Sequence, residues 1–156
     1  MIAYIGIGAN LGDARGNVLD AIARLGQVCT LLASSSLYRT APIESSGDDY
    51  INAVACIDTE LDAPAVLALL QQVELAHGRE RPYRNAPRTL DLDLLLYGEQ
   101  QIDLQHHLHV PHPRMHLRAF VLAPLLEIAP GITIPGRRPA AAYWPSVAGQ
   151  GIARID

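Results

Sequence analysis

Two hydrophobic rhythms alternate along the chain. Residues 3–10, AYIGIGAN, read as a short strand with glycine at positions 6 and 8, where one face would otherwise carry side chains. Residues 13–27 switch to helical spacing, with Val18, Ile22 and Leu25 on one side. Residues 29–40, CTLLASSSLYRT, predict a strand, and 40–49 a turn-rich loop. From 50 to 61 the period of two returns: Ile51, Ala53, Ala55 and Ile57 share one face, and Tyr50, Asn52 and Val54 the other. A helix follows over 63–78, with Pro64 near its start and Gly78 at its end. Residues 79–88, broken by two prolines, lead into a strand over 88–98, RTLDLDLLLYG, with 99–104 as its hairpin return. Residues 114–130 predict a helix interrupted near Pro124, and the tail carries a short strand and helix. Mixed elements with short connections predict an α+β fold on a mainly antiparallel sheet.

Composition narrows the class. A length of 156 residues fits a single domain spanning 1–156, and 49% hydrophobic residues can build a core. The net charge of −4 argues against a protein that coats nucleic acid or acidic membranes. No apolar run reaches the roughly 18 residues of a membrane span, and the N-terminus has no basic segment of a signal peptide. Cys29 and Cys56 lie in apolar, strand-like surroundings and read as reduced thiols of a cytoplasmic protein. All twelve Lys+Arg residues are arginine, which removes P-loop, Schiff-base and lysine-base mechanisms.

GIGANLG at residues 6–12 misses the dinucleotide fingerprint, since position 11 is Leu and the third glycine arrives at Gly12. Glycines at 6 and 8 instead allow close approach to the backbone. The strand over 88–98 is more telling. Alternation puts Asp91 and Asp93 on one face, about 7 Å apart, with Leu90, Leu92, Leu94 and Leu96 opposite and Leu95 and Tyr97 continuing the acidic face. Such a carboxylate pair suits a hard divalent cation that shares its shell with phosphate oxygens. Arg79, Arg81, Arg84 and Arg88 precede the pair, and Arg114 and Arg118 follow it. Guanidinium groups bind phosphate bidentately and stay charged, so acids and arginines together supply the parts of a phosphoryl-type transfer. Five of the six histidines fall in 106–116. They leave a zinc site open as an alternative, although Pro111 and Pro113 break any helix through them. His112 reads as a phosphate contact or proton donor. Tyr50, Asn52 and Phe120 are candidates for a planar heterocycle, through stacking and an amide edge.

Six collinear stretches resemble the 6-hydroxymethyl-7,8-dihydropterin pyrophosphokinase family: YIGIGANLGD, SSLYRTAP, DYINAV, VELAHGRER, APRTLDLDLLLYG and VPHPRMHLRAFVLAPLLEIAP, together covering most of residues 2–130. The resemblance implies a ferredoxin-like α+β fold in αβα layers. It implies transfer of the terminal pyrophosphate of ATP to the pterin hydroxymethyl group, giving AMP, in folate biosynthesis. Asp91 and Asp93 match the pair that binds two Mg²⁺ ions. Arg79, Arg88, His112 and Arg118 match residues at the ATP phosphates, Arg81 joins the nucleotide set, and Gln71 and Glu74 lie near the nucleotide. Tyr50 and Phe120 match the aromatics that sandwich the pterin, Asn52 and Thr40 its hydrogen-bonding edge, and Pro42 and Ile43 the pocket wall. The chain departs from the family at Asn85 and Ala86 before Pro87-Arg88, and at Leu117 before Arg118. The implied partners are these small molecules, with no nucleic acid or membrane, acting on a cytoplasmic monomer. A non-catalytic nucleotide- or pterin-binding regulator on the same fold is the rival reading.

Overall fold

The computed structural model describes residues 1–41, 49–77, 89–105 and 107–155. Its elements run β1 Ile2–Ala9, α1 Ala14–Val28, β2 Thr30–Ser34, β3 Tyr38–Thr40, β4 Tyr50–Asp58, α2 Ala63–Ala76, β5 Asp91–Tyr97, β6 Ile102–Asp103, β7 His109–Val110, α3 Ala119–Ile128, α4 Trp144–Val147 and β8 Ile152–Arg154. The main sheet has the order β5-β1-β4-β3-β8, with β2 also on β4, and its pairings are antiparallel. This is the α+β, ferredoxin-like arrangement. β4 lies at its centre, buried almost without interruption from Ile51 to Ile57 because both faces are covered.

Helices cover the two faces unequally. On one, Val18, Ala21 and Leu25 of α1 and Val66, Leu70 and Val73 of α2 pack on Ile5, Ile7, Ala53, Ala55, Leu92 and Leu94. On the other, Ala119, Leu122 and Leu125 of α3 join Val54, Leu95, Met115, Ile134 and Val147. The starts of α1 and α2 are fixed by side-chain caps: Asp13 accepts the Gly16 N–H, and Asp62 accepts the Ala65 N–H.

Four sequence expectations change. The strand expected over 29–40 is split into β2 and β3, because Ser35 Oγ accepts the Val54 N–H and Glu127 accepts the Ser36 N–H, so side chains take over the ladder between the strands. Residues 99–104 do not return along β5; β6 pairs with β7 in a separate two-stranded sheet. The helix expected over 114–130 breaks at Arg118, which is extended, and α3 runs through Pro124 at the loss of one backbone hydrogen bond. Finally, β5 changes parity. Ile5 pairs with Leu94 and Tyr4 with Leu96, leaving Leu95 as the extra residue of a bulge. Leu96 therefore joins Leu95 in the α3-side core, and Tyr97 turns to the α1/α2 side.

Candidate active site

The register of three strands builds the site. Asp91 lies opposite Gly8, and Gly8 opposite Asn52; Asp93 lies opposite Gly6, and Gly6 opposite Val54. Cross-strand partners share a face. The acids of β5 and the amide of β4 thus flank a trough whose floor is β1, without side chains where the rows cross. Two strand spacings separate the walls by about 10 Å. A Cβ on Gly8 would stand 2.9 Å from Asn52 Oδ1, and one on Gly6 would touch the Leu95 side chain. The glycines are there to keep the trough open.

The trough is part of a cleft of about 360 Å³ lined by Gly6, Gly8, Thr40, Tyr50, Asn52, Asp91, Asp93, Arg114, Leu117, Arg118, Phe120 and Gln150, among others. Asn52 is 4% exposed, and its Nδ2 donates to Thr40 Oγ1 at 2.9 Å. That bond fixes the amide orientation and leaves Oδ1 on the Gly8 side. Across the cleft, the Arg118 guanidinium carbon lies 5.3 Å from the Phe120 ring centroid. A half-buried acid pair facing two arginines is a set of hard oxygen donors beside anion-binding groups, and it fits Mg²⁺ carrying a phosphate chain.

His112 sits at the bend after β7. Its N–H donates to Leu95 O at 2.9 Å, so the bulge in β5 anchors the bend. Its Nδ1 accepts the Arg114 N–H at 3.2 Å, which leaves the proton on Nε2. Burial and then the Arg118 charge push its pKa down to about 4, against a smaller opposite pull from Asp91. His112 is therefore a neutral hydrogen-bond donor at neutral pH.

Seven expected residues come together in the cleft: Thr40, Tyr50, Asn52, Asp91, Asp93, Arg118 and Phe120. Gln71 is exposed on α2. Glu74, expected beside the nucleotide, is buried at 5% and accepts the Leu92 N–H at 2.8 Å, gripping β5 between its two aspartates. Pro42, Ile43, Arg79, Arg81, Arg84 and Arg88 lie outside the described residues. Among the described residues no three His, Cys, Asp or Glu side chains gather into a metal site, so the histidine run offers no zinc centre there. Gln150 lines the cleft from a tail that carries no motif and gave no sequence signal.

The model of the 7,8-dihydro-6-hydroxymethylpterin-pyrophosphokinase family matches residues 4–130. The chain belongs to this family. The 2-amino-4-hydroxy-6-hydroxymethyldihydropteridine pyrophosphokinase of Pseudomonas aeruginosa is 44% identical over 139 residues, covering 86% of this chain and 85% of that one. The protein of the same name from Haemophilus influenzae is 41% identical over 136 residues, covering 85% and 84%. Among solved structures, an HPPK-DHPS in complex with substrates superposes with a TM-score of 0.78 at 12% identity, covering 98% of this chain and 46% of that one. The Plasmodium falciparum HPPK-DHPS A437G structure with pteroate gives 0.70 at 11% identity, covering 99% and 46%. The chain thus spans less than half the length of these solved chains, and the likeness to them concerns the fold. No helix among the described residues is long and apolar enough to cross a membrane.

Proposed function

We infer that the chain is a pyrophosphokinase of folate biosynthesis, moving the terminal pyrophosphate of ATP onto the hydroxyl of 6-hydroxymethyl-7,8-dihydropterin and releasing AMP. The observation that carries this reading is the row Asp91–Gly8–Asn52, which sets a metal-type carboxylate and a heterocycle-type amide on opposite walls of one trough. Tyr50 and Phe120 take the faces of the pterin, while Asn52 and Thr40 read its edge. Asp91 and Asp93 hold two Mg²⁺ ions, which when bound neutralise phosphate charge. Arg118 and Arg114 reach the phosphates from the α3 side, and Arg79, Arg81 and Arg88 add to them, with Gln71 and Glu74 near the nucleotide. His112 donates from Nε2 to a phosphate oxygen without adding charge. Catalysis rests on bringing the hydroxyl in line with the β-phosphorus and on balancing the leaving charge. The protein works as a cytoplasmic monomer, one domain over 1–156. The family match and the relatives named as pyrophosphokinases favour this reading over a purely binding regulator.

The decisive experiment measures AMP formation from ATP and the hydroxymethyl pterin, with and without Mg²⁺. Activity that depends on Mg²⁺ and is lost in Asp93→Ala, with the fold unchanged by circular dichroism, supports the reading. Wild-type turnover by Asp93→Ala refutes the metal assignment, and ligand binding without AMP favours the regulator.

A further inference from the structure

The family match ends at residue 130, yet the chain beyond it returns to the cleft. After α4 the backbone turns at Gly151, whose φ of +63° favours glycine, and continues as β8 along β3, with Ile152 opposite Thr40. The turn delivers Gln150 to the start of α3. Its Oε1 accepts the Ala119 N–H at 2.9 Å, and its Nε2 donates to Leu117 O at 3.0 Å. Arg118 is the residue between these two. It stands at the N-cap position in an extended conformation, and no side chain of its own segment caps the helix. One amide thus grips the backbone on both sides of the cleft arginine.

We propose that Gln150 is a positioning residue for Arg118, holding the 117–119 backbone so that the guanidinium points into the cleft. An arginine side chain has several free torsions, and its aim depends first on the direction of its Cα–Cβ bond. The segment around Arg118 lies between a 3₁₀ turn at Met115–Leu117 and α3, and Arg118 itself is extended between the two helical turns. The doubly bonded amide fixes both peptide planes that set this direction. The inference rests on the reading of Arg118 as a nucleotide-phosphate residue.

A double-mutant cycle on the full chain tests it, with a non-hydrolysable ATP analogue and Mg²⁺ in calorimetric titration, and with melting curves alongside. Gln150→Ala should weaken analogue binding about five- to tenfold, with Tm lowered by no more than about 3 °C. Arg118→Ala should weaken it more, and the double variant should match Arg118→Ala alone, because Gln150 acts through the arginine. A role confined to structure would instead multiply the two losses. Gln150→Glu keeps an acceptor for the Ala119 N–H but no donor for Leu117 O, so it should fold as the wild type and bind more weakly, with that loss absent on the Arg118→Ala background, where repulsion by the added charge alone would persist. Should Gln150→Ala fail to fold, Gln150→Glu decides the matter. Wild-type binding by either foldable Gln150 variant, or multiplying losses, overturns the inference while leaving the site intact. Wild-type binding by Arg118→Ala overturns the reading of Arg118 and the inference with it.

Discussion

Alanine at position 8 would set its methyl carbon 2.9 Å from Asn52 Oδ1, closer than such contacts occur. Asn52 cannot retreat freely, because its Nδ2 is tied to Thr40 in a buried bond. Gly8→Ala should therefore twist the amide out of place and raise the KM for the pterin at least about tenfold, with a smaller effect on ATP. Gly6→Ala has the Leu95 side chain as its nearest neighbour, at 3.4 Å, and should cost less, so the ratio of the two pterin KM values checks the trough geometry. At His112 the expectation concerns protons. With a folded pKa of about 4, against the usual 6.5, the imidazole is neutral throughout the physiological range. NMR titration of the ligand-free protein should place its inflection near pH 4, and a value near 6.5 would contradict the buried, arginine-flanked setting.

At the level of elements, two carboxylates join pieces of the fold. Glu74 on α2 accepts the Leu92 N–H on the outer side of β5, where no further strand pairs with it among the described residues. Glu127 near the end of α3 accepts from the Tyr38 hydroxyl at 2.6 Å and from the Ser36 N–H, tying that helix to the β2–β3 junction. Burial opposes its charge, but the bonds from Tyr38 and Ser36 outweigh burial and hold the carboxyl below its usual range. Burial and the Glu127 bond push the Tyr38 hydroxyl up to about 12. Glu127→Ala should lower stability by about 1–2 kcal/mol, a fall in Tm of roughly 2–8 °C in a domain of this size, measurable by differential scanning calorimetry. These ties also show where sequence reading stops. The acidic face of β5 was legible from Asp91 to Leu94, because alternation needs only the local backbone. The bulge at Leu95 was not, since it depends on how β1 and the His112 bend engage the strand. Pro124 looked like the helix breaker, yet the break falls at Arg118, where Gln150 from the distant tail supplies the cap. The cleft residues on regular strands could be named in advance. Their support comes from side chains far away in sequence, and no period records those.

For the whole molecule, the shifted groups set the direction of the pH response. His112 has a lowered folded pKa, so the unfolded chain binds its proton first and stability falls as pH drops from about 6.5 towards 4. Glu127, also lowered, adds stability above its unfolded pKa that is lost as pH falls through the folded value. Both act in the same sense. Urea midpoints should decline from pH 7 to pH 4.5, and His112→Gln should flatten the part of that decline between 6.5 and 4. The bulge has a last consequence, for tolerance to change. With its extra residue, β5 is divided into two stretches out of phase with each other, one presenting acids and the other filling space. A firebreak of this kind lets a one-residue change in length at the Leu95–Leu96 side be taken up at the bulge without turning the carboxylates away from the cleft. An insertion upstream of Leu94 has no such buffer, and a library scanning residues 89–97 should find the two halves unequal in what they accept.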